Sequence, residues 1–390
     1  MRQRAASRLR QGHVWVYRSD LPSRLEFPPG SLVEVADPTG NVIGSAFYSS
    51  SSQIALRMIW TGSRPHPDVP TLVKERVKAA VRLRRRLVEN SDAYRLIYGE
   101  ADQLPGIIAD RYNDILALQF LTQATDRDTI QEALIATLLD ELKPAAILER
   151  VDDRIRELEQ LPPRQTGLLL GDKTSTIIRM NGVQFHYDGM QGQKTGAFLD
   201  QRENYAAAAQ YAFGDALDVF THQGGFALHL ASHCARVTAV DSSRPALEAA
   251  ERNEQLNRSK NDRPEIEWIE ANAFDLLKDY AAARTPYDTI ILDPPAFAKT
   301  RRDLPNALRG YKELNLRAMK MLRPGGILLT CTCSHHVGEY DFVEMLRSAA
   351  ADARRSPRVL EKRNQARDHP ILLQVPETNY LKCLILQFAS

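Results

Sequence analysis

Tyr211–Asp241, YAFGDALDVFTHQGGFALHLASHCARVTAVD, decides how this chain folds. It reads as a hydrophobic strand from Ala216 to Phe220, a turn at Gly224 and Gly225, an apolar helix from Phe226, and a second strand ending in Asp241. That is the opening of a βαβ unit, with an acid 23 positions after Asp218 where a ribose would be held. Glycines at such a turn allow a cofactor to lie against backbone that a Cβ would otherwise cover. The dinucleotide pattern G-x-G-x-x-G is absent, so a nucleoside cofactor without a pyrophosphate fits the turn better. Taken alone, the stretch also reads as an ordinary α/β turn.

Working outward, further polar residues arrive at strand ends. After Asp241 a helix, PALEAAERNEQLN, leads to the strand EIEWIEANAF, where Asn272 is expected to end a strand and read an adenine edge. YDTIILDPPAF sets Asp293 at the carboxyl end of another strand, the edge at which open α/β sheets bind ligands. Its two prolines stiffen the turn, with Phe297 expected to stack on a planar ring. A helix Tyr311–Leu322 ends in RPGG, and ILLTCTCS carries Cys331 and Cys333 to a fourth strand end. Alternation turns both cysteines to one face unless the strand has already stopped. Asp218, Asp241, Asp293 and Cys333 are thus expected at adjacent strand ends. The chain closes with strands expected around ILLQV and YLKCLILQF.

Upstream, residues 12–60 alternate as short strands (HVWVY, SLVEVAD, NVIGSAFYS, QIALRMIW) separated by PPG and DPTG turns, which predicts a small β-rich barrel. The proline-rich TGSRPHPDVP marks a boundary. A helix follows from Thr71 to about Glu89, with Val73, Val77, Val81 and Val88 on one side. A strand pair within RLIYGEADQLPGIIADRYNDILALQFL comes next, then a helix Asp126–Leu142, a strand at ILERVDD, and strands from Leu168 to Asp188 turning at NGV. GQKTGAFLDQREN, immediately before the βαβ unit, is loop-like and then helical. It supplies candidate walls for a cleft, or simply a linker helix capped by Asp200. The expected domains are 1–70, 71–190 and 191–390.

Composition narrows the function. At 390 residues, 43% hydrophobic and 26% charged, the chain is that of a soluble multidomain protein. No apolar run approaches membrane-spanning length, and the basic N-terminus lacks the apolar centre of a secretory signal. Four cysteines make no disulfide framework and suit a reducing cytoplasm. The net charge of +2 hides two basic clusters. Six arginines stand in residues 1–30, and Lys74, Arg76, Lys78, Arg82, Arg84, Arg85 and Arg86 follow one another with only Glu75 among them. Such clusters form phosphate-binding faces or solvated helix surfaces.

The succession GQKTGAFLDQREN, ALDVFTHQGGF, VTAVDSS, ANAF, ILDPPAF and TCTCS resembles the class I S-adenosylmethionine-dependent methyltransferases. More narrowly, it resembles the bacterial 23S (large-subunit) ribosomal RNA cytosine-C5 methyltransferases over nearly the whole chain. The resemblance implies an α/β fold. A small β-barrel PUA domain (1–70, RNA-binding) and an α+β middle domain (71–190) precede a Rossmann-like class I methyltransferase domain (191–390). It implies S-adenosyl-L-methionine as cofactor, ribosomal RNA as partner, a cytoplasmic location, and a homodimer by resemblance alone. Cys333 is the implied nucleophile toward cytosine C6, with Cys331 in reserve. Asp293 would hold the N3 and N4 edge and stabilise N3 protonation. Asp241 would take the ribose hydroxyls, Asn272 the adenine amino group, and backbone at Phe220 and Gly224 would approach the methionine portion; Asp218, Ser242, Ala273 and Asp293 are further implied cofactor contacts. Lys194, Thr195, Phe198, Asp200 and Arg202 are carried over as wall residues. Departures are His222 and Gln223 in the turn, SHHV after the cysteine, and no second cysteine beside the Pro-Pro turn. His335 and His336 are candidates for removing the C5 proton or for a surface position. With Cys331 and Cys333 they make only a weak metal motif, so no metal is expected. Methylation of a purine nitrogen, and an RNA-binding homologue without catalysis, stay open as alternatives.

Overall fold

The strands of the first sixty residues pair as a sheet, the two central ones buried on both faces. In the computed structural model, which describes residues 1–22, 25–63, 65–190, 197–258 and 265–389, β1 (Trp15–Tyr17), β2 (Leu32–Ala36), β3 (Val42–Tyr48) and β4 (Ile54–Thr61) run antiparallel in the order β1-β4-β3-β2. Val33, Val35, Ile43, Ala46, Leu56 and Met58 point inward and are covered by Ala5, Ala6 and Leu9 of helix α1 (Gln3–Arg10). That helix was not anticipated. Its arginines masked an apolar stripe of only three residues.

Helix α2 (Val69–Leu87) begins at Asp68, whose carboxylate accepts the Thr71 amide, and buries Val73, Val77 and Val81 as the valine spacing requires; Val88 lies just past its end. The expected strand pair that follows is three strands, β5 (Ala93–Tyr98), β6 (Ile107–Tyr112) and β7 (Ile115–Phe120). After α3 (Asp128–Leu142), β8 (Ala146–Glu149), α4 (Asp153–Leu158) and β9 (Gly167–Leu170) complete a five-stranded sheet ordered β5-β6-β7-β8-β9. Only β7 and β8 are parallel, with α3 as their crossover. β10 (Ser175–Met180) and β11 (Val183–Asp188) form a separate hairpin.

The remaining elements are α5 (Arg202–Tyr211), β12 (Asp215–Val219), α6 (Gly225–Leu230), β13 (Arg236–Asp241), α7 (Arg244–Asn257), β14 (Ile266–Glu270), α8 (Ala273–Ala283), β15 (Tyr287–Leu292), α9 (Leu304–Met321), β16 (Leu322–Thr332), α10 (Glu339–Ala353), β17 (Pro357–Arg363) and β18 (Lys382–Phe388). They build a seven-stranded sheet ordered β14-β13-β12-β15-β16-β18-β17. β14 through β16 are mutually parallel, and β18 enters antiparallel between β16 and β17. Buried strands such as TIIL and ILLT are continuous apolar runs, as a sheet covered on both faces demands.

Three boundaries differ from the sequence reading. α9 starts earlier, at Leu304, and stops at Met321, so RPGG belongs to β16. ILLQV forms no strand, and Leu373 within it is 85% exposed. The edge strand β17 went unrecognised because PRVLEKR is mostly solvent-facing.

Two compact units result. One comprises Met1–Arg179, Tyr187–Leu199 and Arg367–Thr378; the other comprises Met180–His186, Asp200–Ala366 and Asn379–Ser390. Among the described residues, no helix is long and apolar enough to cross a membrane.

Candidate active site

β13, β12, β15 and β16 are neighbours and parallel, so their carboxyl ends meet on one edge. Asp218, Asp241, Asp293 and Cys333 arrive there together. Asp218, one residue before the end of β12, is fully buried. Its Oδ2 accepts the Thr221 hydroxyl at 2.6 Å and the Ala227 amide at 2.9 Å. Its Oδ1 is buried without a hydrogen-bond partner. Burial pushes the Asp218 carboxyl up to about 7, opposed by those two donors. Asp241 closes β13 and accepts the His222 amide on Oδ2 and the Ser243 amide on Oδ1, each at 2.9 Å. It thereby ties the turns after β12 and β13 together. Ser242 beside it is exposed.

The turn after β12 is strained. Phe220 (φ 68°) and His222 (φ 49°) occupy the left-handed region without being glycine, a conformation that costs about 1 kcal/mol or more each and clusters at binding sites. Hydrogen bonds hold it there: both Phe220 and Thr221 amides donate to the Val240 carbonyl. The two glycines, however, serve the protein itself. Gly224 needs φ 82°, and a Cβ there would meet Trp268 at 2.9 Å; a Cβ on Gly225 would sit 2.5 Å from the Tyr205 ring. At both positions the lack of a Cβ leaves room for an aromatic side chain of this chain.

Asn272 is also placed differently from expectation. β14 ends at Glu270, and Asn272 caps α8, its Oδ1 accepting the Phe274 and Asp275 amides at 2.9 and 3.4 Å. Only its amide nitrogen is left to face a ligand. Ala273, the first residue of α8, is buried.

Asp293 follows β15 directly. Its Oδ1 accepts Gln201 Nε2 at 2.9 Å. Burial, then the charges of Asp200 and Asp218, push its carboxyl up to about 8. Phe297 is half-buried, its ring packed on Tyr311 at 4.7 Å and Phe274 at 6.0 Å at the edge of the core. Ser334 joins this turn to the end of β16, accepting the Ala298 amide at 3.2 Å and meeting the Tyr311 hydroxyl at 2.9 Å.

The cysteines separate because β16 ends at Thr332. Cys331 is fully buried opposite Cys383 of β18, and burial with that neighbour drives its thiol well above the ordinary range. Cys333, beyond the strand, is partly exposed with Sγ 4.0 Å from the Pro294 carbonyl. Among the described residues, no group of three or more His, Cys, Asp or Glu side chains converges as a metal site.

Of the upstream wall residues, Lys194 and Thr195 lie outside the described residues. Phe198 is 40% exposed and belongs to the first unit. Asp200 does not cap α5, whose N-cap is Gln201; its Oδ2 accepts the Tyr380 hydroxyl at 2.6 Å. Arg202 is buried, its guanidinium 3.5 Å from Glu203. Sequence reasoning missed Gln201, Asn204, Tyr205 and Tyr380. Asn204 donates to Gln201 Oε1 at 2.7 Å, which orients the amide that holds Asp293. Gln201 sat inside a motif already singled out, whereas nothing local marked Tyr380, 180 positions from the Asp200 it contacts.

The basic clusters are largely spent on internal partners. Arg4 and Arg8 both engage Asp20, and Arg10 engages Asp37. Arg84 is fully buried on Asp102, Lys78 and Arg85 reach Glu141, and Arg76 donates to the carbonyls of Gln103 and Ile59. Lys74, Arg82 and Arg86 stay on the exposed face of α2.

Residues 1–60 match the model of a PUA-like domain, and residues 166–386 match that of an S-adenosylmethionine-dependent methyltransferase. Ribosomal RNA large subunit methyltransferase I of Erwinia tasmaniensis is 38% identical, over 95% of this chain and 94% of the relative. The protein of the same name from Shewanella frigidimarina is 37% identical, over 97% and 96%. Among solved structures, SMU.776 complexed with SAH superposes with a TM-score of 0.83 at 18% identity, covering 98% of this chain and 97% of that one. It shows the same fold.

Proposed function

Because the chain belongs to the ribosomal RNA large subunit methyltransferase I family of S-adenosylmethionine-dependent methyltransferases, we propose that it methylates C5 of a cytosine in large-subunit ribosomal RNA. Residues 1–70 and 71–190 serve the RNA in this reading, and residues 191–390 the chemistry. The observation that carries it is the separation of the two cysteines: Cys331 is sealed in the core, while Cys333 is accessible beside the Asp293 turn.

The residues at the strand ends suit the cofactor. The unpartnered Oδ1 of Asp218, the carboxylate of Asp241 and the left-handed turn at Phe220 and His222 suit an aminoacyl-nucleoside. S-adenosylmethionine supplies an electrophilic methyl group there. C5 of cytosine is too weak a nucleophile to take it unaided. The Cys333 thiolate adds to C6, the C5–C6 π bond opens, and electron density moves toward C5 and N3. Asp293, its carboxyl raised by burial, donates to N3 as charge develops there. Once C5 carries the methyl group, a base removes its proton. The released electron pair re-forms C5=C6 and expels the thiolate, and N3 returns its proton to the Asp293 carboxylate. The base must leave any helical stack to be reached.

The test is transfer of labelled methyl to unmodified large-subunit ribosomal RNA, followed by digestion to nucleosides. The expected label is in 5-methylcytidine, lost at least a thousandfold in Cys333→Ala while S-adenosylhomocysteine binding persists. Label in a methylated purine, or full transfer by Cys333→Ala, removes the thiolate mechanism.

A further inference from the structure

β18 brings a lysine to the strand end that carries Cys333. Lys382 is the first residue of β18 and stands opposite Thr332, the residue before Cys333, in the antiparallel pairing. The residue is 7% exposed. The ammonium donates to the Tyr380 carbonyl at 3.3 Å. Among the described residues it forms no ion pair. Burial lowers its affinity for a proton, and the ionisable groups that oppose this are Cys333 first and Glu339 second. Glu339, on α10, is already paired with Lys362 at 2.9 Å. Tyr311 of α9, whose hydroxyl is engaged with Ser334, also faces Cys333.

A desolvated ammonium with one neutral acceptor is an expensive arrangement unless an anion forms beside it. Of the carboxylates nearby, Glu339 is paired with Lys362 and Asp200 accepts the Tyr380 hydroxyl. The anion the site lacks is a thiolate. Cations next to a cysteine stabilise that form and raise its nucleophilic fraction at neutral pH. We propose that Lys382 is a positioning residue that holds Cys333 as the thiolate ready to add to the base. The proposal rests on Cys333 being the nucleophile. It also gives β18 a role in the chemistry, since the strand's first residue supplies the charge that β16 needs at its end.

The test measures alkylation of Cys333 by iodoacetamide in the full-length protein, read from its peptide by mass spectrometry between about pH 6 and 10. Cys333→Ser identifies the signal. Lys382→Met is expected to move the inflection up by about one pH unit, a tenfold loss of thiolate near neutrality, and Lys382→Arg to keep it within about 0.3 of the parent. An unmoved inflection in folded Lys382→Met overturns the proposal. If that variant does not fold, Glu339→Gln, at a side chain 56% exposed, gives the reading: removing the acid that shares Lys382 should move the inflection down by about 0.3, and no movement or a rise overturns the proposal. Methyl transfer by Cys333→Ala keeps the two readings apart. An active Cys333→Ala removes the nucleophile itself, whereas an inactive one with an unmoved Lys382→Met inflection removes only the lysine's part.

Discussion

Asp218→Asn should stabilise the cofactor-free protein and weaken its hold on cofactor, with a pH signature that identifies the cause. The folded carboxyl is raised from 3.8 to about 7, roughly three units, each about 1.4 kcal/mol. Below pH 4 the group is protonated in both folded and unfolded chains and has no effect. As pH rises through the interval, the unfolded chain releases the proton while the folded one keeps it. Stability therefore falls by about 1.4 kcal/mol per unit until about pH 7 and is level beyond, a total near 4 kcal/mol. Asparagine still accepts from Thr221 and Ala227, but places an NH2 where Oδ1 has no partner, which returns about 1–2 kcal/mol. The net gain is then about 2–3 kcal/mol at pH 7.5, and close to zero or negative near pH 4. Because the Asp218 charge also helps to raise Asp293, that carboxyl should titrate lower in the variant. Urea midpoints at four pH values between about 4 and 8 read the stability, and calorimetry with S-adenosylhomocysteine reads the binding. A stability difference that does not change with pH would refute the reasoning, as would one that shrinks as pH rises.

Two further outcomes follow from the same geometry. Gly225→Ala puts a Cβ against the Tyr205 ring and should cost about 1–3 kcal/mol, seen as a lower melting temperature even without cofactor; an unchanged melt would mean the ring moves freely. Asp241→Ala strips the His222 and Ser243 amides of their acceptor and should cost about 1–3 kcal/mol of stability. It should also weaken S-adenosylhomocysteine binding at least tenfold, and calorimetry showing parental affinity would remove Asp241 from the cofactor's contacts.

Local pattern carried the reading furthest where one strand's side chains all meet the same environment. LDVF, VTAVD and TIIL are apolar on both faces because both faces of the sheet are covered, so strand, turn and following acid were legible in order. It failed where burial was divided. PRVLEKR forms the edge strand β17 with most side chains in water, so its period carries no apolar signal. ILLQV looks like a strand but belongs to a segment without one. α1 was hidden because three arginines around Ala5, Ala6 and Leu9 read as a charged tail. The basic run of α2 misled in the opposite direction, since Arg84 proves to be a core residue paired with Asp102.

The order of motifs by itself determined the βαβ succession, the three acids and the cysteine at strand ends, and the family they resemble, because each is written within ten or so consecutive residues. What only the tertiary structure decided is which groups those residues meet. That the Asp293 carboxyl is raised depends on burial with Asp200 and Asp218, opposed by Gln201. That Cys331 is sealed depends on Cys383, and Lys382 stands opposite Thr332, next to Cys333 in sequence, because β18 returns antiparallel. Desolvation and charge act through space at a few ångströms, and residues a hundred positions apart come that close only once the sheet has formed.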